Sequence, residues 1–400
     1  MAAPEPTRKN TVLIVLAASA LAGLWLLDFS SIQPNRIVPG ISQNLFTAAG
    51  TALSVVLSIM LAALVLLGLW SRSRRLVAAV VIATAGLCLL PWLLVSVSLN
   101  QLTDDQPSAR IGLGAAFWLL LFLLSLMLVE CWQRVNLAVH WRLIALAAVI
   151  GSWSWAYSSG QLEALGLLRE YHSRSGQFHQ ALRQHLLLVG GAVGCSLVLG
   201  FALAVQILRR PRWQEPVLNV LSFFQTIPSL ALFGLLIAPL SYLSNQWPWL
   251  QQFGIRGIGW APAVLALIGY SLLPIVRNTW VALSEVSPGV VDAARGMGMS
   301  PVQVFIQVRL PLSLPVLLEG VRITTIQAIG LTAVAALIGA GGLGTFIFQG
   351  LGQAANELIL LGALPTIGLA LLADGFLTAA IQWLRQRHLS TSLTAQATAP

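Results

Sequence analysis

Between two long apolar runs the chain carries SPGVVDAARGMGMSPVQVFIQVRLP, residues 287–311. Ser287 is a good N-cap, Pro288 suits the first helical position, where its missing N–H has no partner to lose, and Gly298 is a good stop. The spacing therefore predicts a helix of about ten residues, roughly 15 Å long. Ser300-Pro301 repeats the start signal and opens a second helical piece through Val302–Leu310. On the first helix Val290, Ala294 and Met297 recur at i, i+4 and i+7, and Asp292 can pair with Arg295 at i, i+3. The whole segment between the apolar runs, 277–312, is far longer than a turn requires. A short helix with one small apolar face, held outside the bilayer, either fills a groove on a partner or lies on the headgroups.

Around this segment the chain is apolar. Of 400 residues 57% are hydrophobic and 9% charged, which excludes an ordinary soluble layout and places the chain in a lipid bilayer. The 22 basic and 13 acidic side chains leave +9, a balance that in so apolar a protein points to anionic lipid headgroups rather than nucleic acid. Lys9 is the only lysine and no glycine run precedes it, so the chain lacks a G-x-x-x-x-G-K-[ST] phosphate loop and is not its own ATPase by that route. Cys88, Cys131 and Cys195 lie in or beside apolar runs and read as small buried hydrophobes, and His172 and His179 lack the spacing of a zinc site. Neither a catalytic residue nor a metal site is expected. The run from Thr11 to Leu27, behind Arg8 and Lys9, reads as a retained first helix rather than a cleaved signal peptide.

A hydrocarbon core of roughly 30 Å takes about 20 apolar residues in a helix. On that measure the chain is an all-α polytopic membrane protein with about ten spans: 11–28, 47–70, 76–99, 111–131, 141–158, 185–208, 217–239, 258–276, 313–340 and 356–384. Charged residues interrupt it at Arg72, Arg74 and Arg75, at Asp104 and Asp105, and at Arg209, Arg210 and Arg212. With both termini in the cytoplasm, fifteen basic residues, Arg8 and Arg387 among them, fall on the cytoplasmic side. Six, Arg36 among them, fall outside, and Arg322 lies within a span, as the positive-inside rule expects. The organisation read from this is an N-terminal membrane region, 1–158, an extracytoplasmic connecting segment, 159–180, a second membrane domain, 181–384, and a cytoplasmic tail, 385–400. The second half is the richer in Pro, Gly, Gln and Thr at membrane depth. Such residues are tolerated where protein or a water-filled path satisfies the freed backbone groups, so this half is the one that carries something across.

Asp292-Ala293-Ala294, Gly298, Val308 and Leu310-Pro311 resemble the loop signature of ATP-binding-cassette (ABC) importer permeases: E-A-A, three residues, G, nine residues, I, one residue, L-P. Asp stands for Glu and Val for Ile. Three further stretches, Gln225 to Gly234 (QTIPSLALFG), Leu273 to Thr279 (LPIVRNT) and Ile338 to Gly344 (IGAGGLG), resemble the permeases of importers of glycine betaine, choline, carnitine or proline betaine. The resemblance covers about half the chain, 181–384. It implies a type I ABC permease fold and a coupling helix in which Asp292, Ala293, Ala294, Arg295, Gly298, Leu310 and Pro311 serve a separate ATPase. It further implies two copies of that ATPase, a separate substrate-binding protein, a permease homodimer in the cytoplasmic (inner) membrane, and ATP and Mg used by the partner rather than by this chain. Another small solute, such as an amino acid, is the alternative cargo. An ion-coupled secondary transporter is the rival class, and it would need midplane carboxylates of which Asp374 is the main candidate.

Polar groups in or beside proline-broken spans, Gln225, Thr226, Ser229, Asn278 and Thr279, are the expected lining of a path. Arg322 and Asp374 fall at similar depth in the last two spans and are expected to pair, unless Arg322 pairs with Glu319 on its own helix. Gly339, Gly341 and Gly344 spell G-x-G-x-x-G, but behind a membrane span and without the acidic residue a dinucleotide site needs, so they read as close packing or a turn.

Overall fold

The computed structural model describes residues 9–35, 38, 40–70, 73–102, 108–135 and 137–397, with the last helix's side chains described through Gln386. Arg8, Arg36, Arg72, Asp104, Asp105 and the side chain of Arg387 lie outside the described residues. The chain divides into two compact units, Met1–Ser173 and Arg174–Pro400.

The first unit begins with α1 (Thr11–Leu26), capped by Asn10, whose Oδ1 accepts from the Leu13 N–H at 3.1 Å. Strands β1 (Ser30–Gln33) and β2 (Ile41–Gln43), the turn α2 (Leu45–Ala48) and the helices α3 (Thr51–Leu69) and α4 (Ser73–Gln101) follow. Then come β3 (Arg110–Leu113), α5 (Ala115–Arg134), α6 (Val139–Ser158) and α7 (Gly166–Ser173). Leu13, Leu57, Leu61, Leu90, Phe117 and Leu120 are among the residues that close its core. Ser152 of α6 accepts from Trp92 Nε1 at 3.0 Å and donates to the Cys88 carbonyl at 2.7 Å, which ties α6 to α4 by a polar link inside an apolar bundle.

The three strands form an antiparallel sheet in the order β2-β1-β3, with Ile32 opposite both Ile41 and Ile111. This sheet adds to the all-α reading; strands of three and four residues are too short to show a period of two. Arg110 of β3 meets the buried carboxylate of Glu170 on α7 at 2.7 Å, so the polar stretch after residue 158 is folded onto the sheet.

The second unit opens with α8 (Ser175–Arg209), 35 residues long. It absorbs the end of the expected connecting segment: polar residues such as Gln177 and His179 continue the helix instead of linking to it. A 3₁₀ turn (Pro211–Trp213), α9 (Gln214–Thr226), α10 (Ser229–Gln246) and α11 (Pro248–Gln252) come next. After them come α12 (Trp260–Ser284) and α13 (Pro288–Gly296). One helix then runs from Pro301 through α14 (Pro301–Gln303), a π-helical segment (Val304–Arg309), α15 (Leu310–Ala335) and a closing 3₁₀ turn (Ala336–Ile338). Last are α16 (Gly344–Gln353) and α17 (Asn356–Ala397). Helix α12 packs between α8 and α15, and α15 between α12 and α17.

Among the described residues seven helices are long and apolar enough to cross a membrane, eight if the bent pair α9 and α10 is one span. The expectation of about ten is therefore slightly high. The run at 11–28 yields a helix of 16 residues, and α6 is diluted by His140, Arg142, three residues of Trp or Tyr near its end and several serines. The run at 217–239 is not a straight span: α9 and α10 meet at 103°. Ile227, held extended at ψ 129° by the following Pro228, ends α9. The 277–312 segment is also shorter than expected, because α12 continues to Ser284 and the next span begins at Pro301. The expected second helical piece, Val302–Leu310, is the first part of that span.

Candidate functional site

The segment joining α12 to the next span is built around α13. Ser287 occupies its N-cap position and Pro288 its first turn, but the Ser287 hydroxyl makes no cap bond; its carbonyl accepts the first bonds of the helix, from the Val290 and Val291 N–H groups at 3.1 and 3.3 Å. At the other end Gly298 has φ +85°. Its N–H donates to the Arg295 carbonyl at 2.9 Å and the Met299 N–H to the Ala294 carbonyl at 3.2 Å, the paired bonds of a Schellman cap. Ser300 and Gln303 then exchange the two bonds of a capping box at 3.3 and 2.8 Å and start the following helix.

The buried face of α13 is Val291 and Ala294, packed on Val304 with Met299 and Val308 around them. Val290 and Met297, expected on one face with Ala294, are instead exposed. The reason is tertiary: the following helix folds back under α13 and takes the Val291 side. Asp292 and Arg295 stand outward, 3.6 Å apart, with most of each side chain exposed. The helix thus offers Val290, Asp292, Arg295 and Met297 to its surroundings while Ala294 anchors it. Leu310 and Pro311 lie where the π segment becomes α15. The Leu310 N–H bonds the Phe305 carbonyl, i to i−5, so the wider turn falls just before Pro311, a residue that an ordinary helix interior does not accommodate.

The path residues separate. Pro274, within α12, has no N–H for the Tyr270 carbonyl four residues back, and Gln225 Nε2 from α9 supplies the missing donor at 3.0 Å. Tyr270 Oη in turn donates to the Ile227 carbonyl at the broken end of α9. The two side chains therefore clamp the α9–α10 bend to the proline of α12. Asn278 donates to the Pro274 carbonyl at 2.7 Å, and Gln225, Pro274, Arg277 and Asn278 share one cavity of about 340 Å³. Thr226 is exposed and bonds the Phe223 carbonyl at 2.7 Å, Ser229 begins α10, and Thr279 is buried with no partner for its hydroxyl. Gln225 and Asn278 are thus brought together, and the other three are not. Tyr270 and Arg277 escaped the sequence reading as site residues; the rule that a helical proline orphans the carbonyl four residues back was the available signal for Tyr270.

Arg322 Nε lies 2.5 Å from Asp374 Oδ1, linking α15 to α17, and its Nη1 lies 3.3 Å from Glu319, which also meets Arg385 at 3.4 Å. Both expected pairings coexist in one alternating chain of charges. The glycine-rich loop is a packing device: Gly339, Gly341 and Gly342 have φ of +77°, +79° and +83°. The Gly342 N–H donates to Gln184 of α8 at 3.3 Å, and a Cβ on Gly344 would stand 1.9 Å from the Ala333 carbonyl oxygen.

A polytopic helical bundle with a Schellman-capped helix between two of its spans and proline-broken helices around a polar cavity has the parts of a membrane transport subunit. The family described as "Binding-protein-dependent transport system inner membrane component" matches residues 196–386, within the second unit. The family described as "ABC transporter permease YehY, N-terminal domain" matches residues 8–168, within the first. The osmoprotectant import permease protein OsmW of Salmonella typhimurium is 42% identical over 194 residues, covering 48% of this chain and 85% of that protein. The glycine betaine/carnitine/choline transport system permease protein OpuCD of Bacillus subtilis is 33% identical over 232 residues, covering 56% of this chain and 94% of that protein. Among solved structures, the inward-facing MetNI methionine ABC transporter is similar at 24% identity and a TM-score of 0.45, over 53% of this chain and 98% of that one. The chain belongs to the inner-membrane permeases of binding-protein-dependent ABC transporters. It is a multi-pass transport subunit, not an enzyme, and it works with an ATPase and a substrate-binding protein.

Proposed function

We propose that this chain is the translocation subunit of an importer for a small quaternary ammonium osmoprotectant of the glycine betaine type. It works as a homodimer with two copies of an ATPase carried on a separate chain, which binds and hydrolyses ATP with Mg, and with a separate binding protein that delivers the solute. Discrimination for a quaternary ammonium group lies mainly in an aromatic cage on that binding protein. The observation that supports the coupling role is α13 itself, anchored through Val291 and Ala294 and exposing Val290, Asp292, Arg295 and Met297. When ATP draws the two ATPases together, the helix moves as a rigid piece and the attached spans turn from inward-facing to outward-facing. Gln225 and Asn278 line the path. The relatives named above, which carry osmoprotectants, glycine betaine, carnitine and choline, support the solute class.

Proteoliposomes holding the whole complex test the proposal. Uptake of glycine betaine that requires both the binding protein and internal ATP is the expected result. Uptake of an amino acid instead would replace the solute, and uptake driven by an ion gradient without the ATPase would replace the mechanism.

A further inference from the structure

Beside α13 lies a cavity of about 380 Å³ whose wall includes Leu208 and Arg209 of α8, Arg295 of α13, and Phe305, Ile306 and Arg309 of the π segment. Three arginines from three elements line this one space. Arg209 and Arg309 make no ion pair among the described residues, and Arg295 has only its exposed pairing with Asp292 at 3.6 Å. Like charges gathered on one cavity repel, and an anion seated between them removes that cost. The rest of the wall is apolar, and Ile306 is 55% exposed. The cavity also lies where the apolar length of α8 gives way to Arg209, Arg210 and Arg212, the level at which a membrane helix meets the cytoplasmic headgroups. A free phosphate would satisfy the arginines and leave the apolar wall wet. A phospholipid satisfies both, its phosphate among the guanidiniums and an acyl chain along Leu208 and Ile306.

We propose that this cavity is a specific binding site for an anionic phospholipid, with Arg209, Arg295 and Arg309 holding the headgroup. The bound lipid joins the inner end of α8 to α13 and to the π segment. A lipid in this position is a structural partner of the very loop through which the chain is driven.

Native mass spectrometry of the delipidated full-length chain tests the site, with phosphatidylglycerol as the probe and phosphatidylcholine and inorganic phosphate as comparisons. The double variant R209Q/R309Q should retain phosphatidylglycerol roughly 150-fold less well, the loss expected when two charge-assisted hydrogen bonds to the phosphate are removed. R209K/R309K should keep most of the binding. R210Q/R212Q, which removes the same charge from neighbouring positions that do not line the cavity, should keep it within about two-fold, because those groups act on the headgroup only through screened solvent. Equal losses in R209Q/R309Q and R210Q/R212Q would reduce the effect to general attraction and overturn the site. So would unchanged retention in R209Q/R309Q, equal retention of phosphatidylcholine, or displacement of the lipid by millimolar inorganic phosphate. Should R209Q/R309Q misfold, loss of phosphatidylglycerol by either single variant, R209Q or R309Q, beside an intact R210Q/R212Q decides the matter in the same way.

Discussion

Gly298 is held at φ +85°, where a side chain with a Cβ is strained, and its own N–H and that of Met299 close the end of α13 on the Arg295 and Ala294 carbonyls. Gly298→Val should cost about 1–2 kcal/mol locally and unwind the cap. Because the site lies outside the spans, the variant should still reach the membrane in normal amount and yet lose most ATP-driven uptake; normal uptake would detach the cap from coupling. The charge chain of Arg385, Glu319, Arg322 and Asp374 gives a second expectation. Asp374→Asn leaves Arg322 sharing Glu319 with Arg385, so it should lower the melting temperature more than the double variant Arg322→Gln/Asp374→Asn, in which both members are neutral. A thermal-denaturation cycle in detergent checks the order. Gly298, Ser300 and the Arg322–Asp374 pair were legible in the sequence because caps are local and an ionisable group at membrane depth needs a partner. The buried face of α13 was not, because Val290 and Val291 are equally apolar and only the returning helix chooses between them.

At the scale of elements, prolines decide most of what the hydrophobic runs left open. Pro228 breaks one expected span into α9 and α10, whereas Pro274 stays inside α12 because Gln225 satisfies the carbonyl it orphans. Gln225→Leu should leave the Tyr270 carbonyl without a donor and cost about 1–3 kcal/mol. Adding Pro274→Ala restores an N–H to that carbonyl through the ordinary i to i−4 bond, so the double variant should recover stability that the single one loses. Melting temperatures would show this, and a double variant no more stable than Gln225→Leu would deny the clamp. If Gln225 also meets solute in the cavity, uptake stays low in the stable double variant, which separates the two roles. Run lengths alone could not distinguish a broken span from a kinked one, since the difference lies in a side chain 45 residues away.

For the whole molecule the decisive feature is that each unit carries its own core and its own family match. The first closes on Leu57, Leu61, Leu90 and Phe117, the second on Phe233, Ala263, Ala266 and Tyr270, among others. The difference between a plain leucine-rich half and a proline- and glycine-rich half is legible from composition, because helix breakers at membrane depth need protein or water to satisfy the freed backbone groups and a plain leucine bundle carries few of them. The small sheet of the first unit was not, its strands being shorter than any period they could display. The second unit contains α13, the clamped cavity and the arginines at 209, 210 and 212 that hold the end of α8 in the cytoplasm. A chain comprising residues 174–400 should therefore insert with residue 212 on the cytoplasmic side, as read by a membrane-impermeant thiol reagent on Arg212→Cys in a background with Cys195 replaced. It should also co-purify with the ATPase. A truncated chain that inserts but fails to hold the ATPase would assign part of the coupling to the first unit. One that does not insert would show that the second unit takes its orientation from the helices before it and not from its own charges.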